Sequence, residues 1–149
     1  MRTVLASTAA VLALVAAAPA GAASGDSAAQ MRAIVRAWST RLNADDNKGI
    51  ARLFAVPATV IQAPYVYRLR SSHDVALWFS GLPCAGMITS IAVSGRYATA
   101  VFRLANRGSS ACDAPGTLAA ARFEIVHGKI VAWAQVAVPK AASPNPNVI

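Results

Sequence analysis

The chain is poor in the residues that usually mark a function. It has only two cysteines, two histidines and six acidic side chains in 149 residues. Two cysteines, Cys84 and Cys112, are too few and too far apart for a structural zinc site, which wants four ligands in closely spaced pairs. No basic run exists. The cations from Arg32 to Lys140 are scattered, and no nucleic-acid motif accompanies them. Their excess gives a positively charged surface with weak long-range attraction to anionic envelopes, not a nucleic-acid partner. The one apolar run, Val11 to Ala18, is too short and too soon interrupted to span a membrane. No cysteine follows it, which argues against a lipid anchor.

What is present begins with that run. "MRTVLASTAAVLALVAAAPAGAASG" places Arg2 before the apolar stretch and small residues after Pro19, the layout of a secretory signal peptide. Ala18-Pro19-Ala20 and Ala20-Gly21-Ala22 both fit the small-x-small cleavage rule, so the site of the cut stays open. The alternative is a retained N-terminal anchor helix. We take 1–23 as the leader, 24–139 as one domain and 140–149, "PKAASPNPNVI" less its first residue, as a disordered tail. The mature chain, about 125 residues, suffices for one modest core. Export places it in the cell envelope or medium and makes a Cys84–Cys112 disulfide reasonable. Both cysteines sit in turn-like sequence, "GLPCAG" and "SSACDAPG", so the bond would staple two loops. Two free thiols are the alternative.

Periodicity then gives the elements. Met31, Ile34, Val35, Trp38 and Leu42 form one apolar stripe on a helix from about Ser27 to Leu42. "NADDN" ends it, and Asp45 or Asp46 can cap the next helix. That second helix carries Ile50, Leu53 and Phe54 on one face, and Pro57 should stop it. "ATVIQAPYVYRLR" reads as two short strands split at Pro64. "SSHDVALWFSGLP" restarts a helix, with Ser71 and Asp74 at capping-box spacing. "MITSIAV" and "YATAVFRL" flank the turn "SGR", and "LAAARFEIV" and "KIVAWAQVAV" flank "HG", so the rest is a meander. The expected fold is α+β: helices gathered on one side of a strongly bent antiparallel sheet make a cone with an apolar cavity.

In this order and spacing the chain resembles the nuclear transport factor 2-like superfamily, including its SnoaL-like and ketosteroid isomerase-like branches. "LNADD", "GIARLFA", "ATV" and "ARFEIVHGKIVAWAQV" carry the resemblance, which covers about Ala28 to Val138. It implies the cone-shaped barrel with three N-terminal helices. It does not imply one activity, because this scaffold carries isomerases, cyclases, dehydratases, epoxide hydrolases and non-enzymes. Isomerase chemistry needs a carboxylate base and two donors for the developing oxyanion. At the positions that supply them in that branch, this chain has Gln62 for the base, and Trp38 and Ala121 for the donors. The catalytic set is missing. His73 at a helix start and His127 in the "HG" turn belong at solvent-facing places. An Asp–Arg–Asp network lacks its second carboxylate on a cavity-facing strand; Asp113 lies in the loop and Glu124 should face outward.

The resemblance turns one face of each late strand inward, so the expected pocket residues are Trp38, Gln62, Trp78, Ala121, Phe123, Trp133 and Gln135. They suit non-catalytic binding of a small apolar or aromatic molecule. The sequence points to no catalytic residue, metal or cofactor. Two other readings stay open: a hydrolase, isomerase or cyclase whose active site has no recognised motif, and an interaction module with a filled core. A homodimer through the outer sheet face would fit the last; no nucleic-acid partner is expected, and no stable membrane insertion once the leader is cleaved.

Overall fold

A computed structural model describes residues 25–140. The expected leader, 1–23, and the expected tail beyond residue 140 lie outside the described residues, and among those described no helix is long and apolar enough to cross a membrane. Helix α1 spans Ala28–Asn43 and opens with a capping box. The Ser27 hydroxyl accepts from the Gln30 amide, while the Gln30 side chain accepts from the Ser27 amide. Met31, Val35, Trp38 and Leu42 of the apolar stripe are buried. A tight turn leads to α2, Asn47–Arg52, whose N-cap is Asp46, the side chain accepting from the Gly49 amide. Asp45, at φ 54°, is left for another task.

The chain then departs from the periodicity reading. Helix α2 ends at Arg52, and strand β1 runs Phe54–Gln62 with Pro57 inside it. Proline cannot donate to a ladder, so within a strand it belongs at a bulge or an edge. Here the pairing of β1 with its neighbour shifts register between Phe54 and Thr59, and Pro57 sits in that gap. Phe54 packs its ring 5.2 Å from Phe79. Strand β2, Tyr65–Leu69, follows the Pro64 turn, and α3 is Ser72–Ser80 with the Ser71–Asp74 capping box formed. Strands β3 (Cys84–Ser94), β4 (Tyr97–Asn106), β5 (Leu118–Val126) and β6 (Lys129–Val136) form the meander. The β5–β6 turn holds His127 and Gly128 at φ 51° and 73°, the two positive values a two-residue type I′ hairpin needs.

All six strands form one sheet in the order β2-β1-β6-β5-β4-β3. It is not wholly antiparallel, as β1 runs parallel to β6. No local pattern encodes that pairing, because the whole of β2, α3, β3, β4 and β5 separates the two strands. Register shifts at Ile88/Ser90 in β3 and Glu124/Ile125 in β5 bend the sheet around α1. The Trp38 ring sits in the centre of the concave side, 5.1 Å from Phe123, 5.7 Å from Phe102 and 5.8 Å from Phe79.

Two polar clips hold the layers. The Asn43 amide donates to the Gly86 carbonyl at 3.0 Å and accepts from the Gly86 amide at 3.1 Å, locking the end of α1 to β3. Arg107 reaches inward from the β4–β5 loop with its side chain fully buried. Its Nε donates to Asp45 at 2.8 Å, its Nη1 to the Phe79 and Leu82 carbonyls at 2.7 and 3.0 Å, and its Nη2 to Asn47 at 3.0 Å. One guanidinium thereby joins the α1–α2 turn, the end of α3 and the loop. A buried cation is tolerated when paired and fully hydrogen-bonded. The Cys84–Cys112 disulfide is formed and ties the same loop to the start of β3.

Candidate functional site

Between α1 and the concave sheet face lies a cavity of about 180 Å³. Trp38 and Leu42 from α1 form one wall. Phe102, Ala121 and Trp133 from the sheet form the facing wall. Leu82 to Gly86, the segment that carries Cys84, closes one side together with Asp113. Small residues make the space. Ala119, Ala120 and Ala121 fall successively on β5 at the wall, where larger side chains would fill it.

Five of the expected pocket residues meet here: Trp38, Gln62, Ala121, Trp133 and Gln135. Gln62 ends β1 and Gln135 lies near the end of the parallel β6, so the β1–β6 pairing brings them together. Gln62 Nε2 donates to Gln135 Oε1 at 3.1 Å. The other two expected residues support the wall from behind. Phe123 is wholly buried beneath Trp38. Trp78, half-buried on α3, packs 5.4 Å from Trp133 on one side and 5.9 Å from Tyr67 on the other. The helical stripe puts Trp78 on the core side of α3, but α3 covers the β1–β2 end of the sheet rather than the cavity.

The indole N–H groups of Trp38 and Trp133 are the unusual feature. The two residues are only 3% and 5% exposed, and among the described residues no acceptor lies within hydrogen-bond distance of either Nε1. Buried donors are nearly always paired, and an unpaired one costs about 1–3 kcal/mol. Both rings line the same cavity with centroids 6.2 Å apart, but each Nε1 atom is itself closed off, so neither N–H opens into that space.

Sequence reading missed Asp113. It is exposed, in the loop, yet it is the one ionisable side chain among the residues lining the cavity. Its position follows from its neighbour: Cys112, bonded to Cys84, pulls it to the mouth. That adjacency was the signal that could have found it. Cys84, Cys112 and Asp113 cluster tightly, but the sulfurs are joined to each other and are not a thiolate ligand set. The histidines lie elsewhere. His73 borders a surface hollow with Asp46 and Lys48, and His127 borders another with Asp26 and Arg96. Asp45 is held below the ordinary carboxylate value by the Ser109 hydroxyl and by Arg107, and Asp46 by the Gly49 amide and Arg41. Such carboxylates are fixed anions in structural pairs, not proton acceptors poised near neutrality. Glu124 faces away from the cavity and pairs with Arg96 at 2.9 Å.

No protein-family model matches the sequence, and no curated relative does. Solved structures match the fold. A candidate polyketide cyclase from Sinorhizobium meliloti is 15% identical, with 72% of this chain and 98% of that chain covered at a TM-score of 0.59. A candidate ketosteroid isomerase from Kribbella flavida is 20% identical, with 79% and 84% covered at 0.57. A hypothetical protein with the ketosteroid isomerase-like fold from Catenulispora acidiphila, in complex with trimethylamine, is 16% identical, with 70% and 84% covered at 0.52. At these identities the likeness concerns architecture and carries no activity across. Helices on a curved six-stranded sheet, in this order and with these neighbours, give the chain the nuclear transport factor 2-like fold.

Proposed function

We propose that this protein binds a small apolar or aromatic molecule in the cone cavity without transforming it. The observation that carries the reading is the cavity itself, walled by Trp38, Phe102 and Trp133 with the Gln62–Gln135 amide pair beside them. An apolar space with a few fixed polar groups suits a ligand site. The residues that stand at the isomerase positions, Trp38, Gln62 and Ala121, all line it, and none is a base near neutral pH. The complex of a neighbour in fold with trimethylamine supports the class of small organic ligand. We further place the protein outside the cytoplasm, on the leader-like segment and the disulfide.

Tryptophan fluorescence titrated with single-ring aromatic compounds tests the reading. Saturable quenching is expected, because Trp38 and Trp133 would touch the ligand. No saturable change with any member of the panel would leave the protein–protein interaction module as the better account.

Asp113 supports a second reading, that of an enzyme. A carboxylate at the mouth of the cavity could remove a proton beside a carbonyl. Deuterium uptake into the methyl group of acetophenone in heavy water decides it. Uptake above the rate of Asp113→Asn favours the enzyme, and no uptake favours the binder.

A further inference from the structure

We propose that the mouth of the cavity is a sugar subsite and that the ligand is an aromatic glycoside, its ring system in the cavity and its sugar against Gln62, Gln135 and Tyr65. The inference rests on the binding reading above and names the ligand class.

The wall changes character from floor to mouth. Trp38, Phe102, Ala121 and Trp133 are buried and present apolar surface. The space of about 180 Å³ exceeds the roughly 150 Å³ that takes benzene, so an aromatic ring enters. Ser39, a buried polar side chain of the wall, donates to the Gly86 carbonyl. The remaining polar side chains stand at the rim: Gln135 and Asp113 are exposed, and Gln62 is half-buried. The cavity is open there, and a ligand can continue outward.

The rim groups have bonds left to make. The Gln62–Gln135 bond uses one N–H and one oxygen, so Gln62 Oε1 and three amide N–H groups have no protein partner among the described residues. The Asp113 carboxylate lies 3.2 Å from Cys84 Sγ, but that sulfur is in the disulfide and carries no proton to donate. Donors and acceptors thus stand together. Hydroxyl groups suit them, because each hydroxyl both donates and accepts. A wholly apolar extension of the ligand would strip water from this rim without replacing its hydrogen bonds. An anionic head group would meet Asp113 and be repelled.

An aromatic shelf lies beside Gln62. Tyr65 pairs with Gln62 across β1 and β2, so both side chains leave the same sheet face, their Cβ atoms about 5 Å apart. Tyr65 is 62% exposed. Its ring is propped by a series of others: 6.3 Å to Tyr67, then 5.9 Å to Trp78, then 5.4 Å to Trp133 in the cavity wall. A sugar ring carries hydroxyls around its edge and C–H groups on its face. The C–H face stacks on the negative face of a phenol ring while the hydroxyls reach the amides. Cleaving a glycoside takes two carboxylates flanking the bond. Asp113 is the one ionisable side chain in the wall, so the site holds the glycoside intact.

The test uses the full chain with its disulfide formed and three probes: phenyl β-D-glucopyranoside, anisole and methyl β-D-glucopyranoside. By calorimetry the phenyl glucoside should bind about tenfold more tightly than either of the others, the worth of one to two neutral hydrogen bonds. Tyr65→Ala and Gln135→Ala should each weaken it about fivefold, toward the affinity of anisole. Saturation-transfer NMR on the unmodified protein gives a reading free of variants: both the phenyl and the sugar protons should receive saturation. Saturation confined to the phenyl protons overturns the subsite. Anisole binding as tightly as the phenyl glucoside overturns the subsite and leaves the cavity reading standing. Methyl glucoside binding as tightly overturns the aromatic half of the ligand. A folded Tyr65→Ala with full affinity overturns the shelf. Release of phenol above the rate in buffer overturns intact holding. No binding by any probe overturns the subsite and the cavity reading together.

Discussion

Arg107→Met should unfold this protein more readily than any single loss of a surface charge. The guanidinium is wholly buried and makes four hydrogen bonds to two separate segments. Methionine fills similar space but offers no donor. The Phe79 and Leu82 carbonyls then lose their partner at the end of α3, and Asp45 keeps only the Ser109 hydroxyl, at 2.7 Å, and water. Removing one partner of a buried pair costs about 3–5 kcal/mol. Asp45 can rehydrate, since its side chain is 27% exposed, so the lower end applies, about 3 kcal/mol for the loss of Arg107. At about 4 °C per kcal/mol for a domain of this size, the melting temperature should fall by about 12 °C. Arg107→Lys keeps the charge but cannot reach two sides at once, and should fall between the two. Thermal unfolding followed by circular dichroism gives all three values. A drop below about 3 °C for the methionine variant, or a lysine variant equal to the unmodified protein, would refute the clamp.

The same turn sets an acid limit. Asp45 is held below its ordinary 3.8 by the Ser109 hydroxyl and Arg107, so its contribution is complete above that value and is lost as pH falls through the lower folded value. Stability should be level from neutrality to about pH 4 and fall below it, and Asp45→Asn should start lower and decline less steeply; an equally steep acid limb in the variant would remove Asp45 from the explanation. Cys112→Ser should cost about 2–5 kcal/mol in chemical denaturation and release Asp113 from the cavity mouth. Unchanged stability would show the bond to be dispensable. At Gly86 an added Cβ would lie 2.3 Å from the Arg103 carbonyl oxygen, which is backbone and cannot step aside. Gly86→Ala should therefore destabilise by about 1–3 kcal/mol, and a neutral result in the same denaturation assay would mean that β3 can shift away from β4.

Much of this fold is readable because its signals are local. The α1 stripe, both capping boxes and the "HG" turn each lie within a few residues, and each reappears in the structure. The failures are of two kinds. Phe54 and Pro57 were misplaced because Ile50, Leu53 and Phe54 satisfy helical spacing over one turn only, too short to tell a helix end from a strand start. The rest depends on contacts remote in sequence. Nothing near Arg107 distinguishes it from the scattered surface cations, since its partners are some 25 to 62 positions away. Asp113 looked like loop polarity until the disulfide carried it to the cavity. For the site, strand alternation put Trp133 with Gln135 and Ala121 with Phe123 on shared faces, the resemblance turned those faces inward, and Ala121, Trp133 and Gln135 do line the cavity. Neither alternation for Phe123 nor the helical stripe for Trp78 could say that they would fill core space beside the cavity, because periodicity gives a face and not the shape of the volume in front of it.

The binding of a small molecule in this cavity is tested most directly by plugging it. Ala121 is 3% exposed and lines the wall, so Ala121→Leu places three extra carbons into a space of about 180 Å³. The leucine gains apolar burial there, so the variant should stay folded with a melting temperature no lower than the unmodified protein. Calorimetric titration of both proteins with acetophenone is the measurement. The account predicts saturable binding by the unmodified protein and at least about a tenfold loss in the variant, equivalent to about 1.4 kcal/mol. Equal affinity of a folded variant would place the ligand elsewhere and contradict the account.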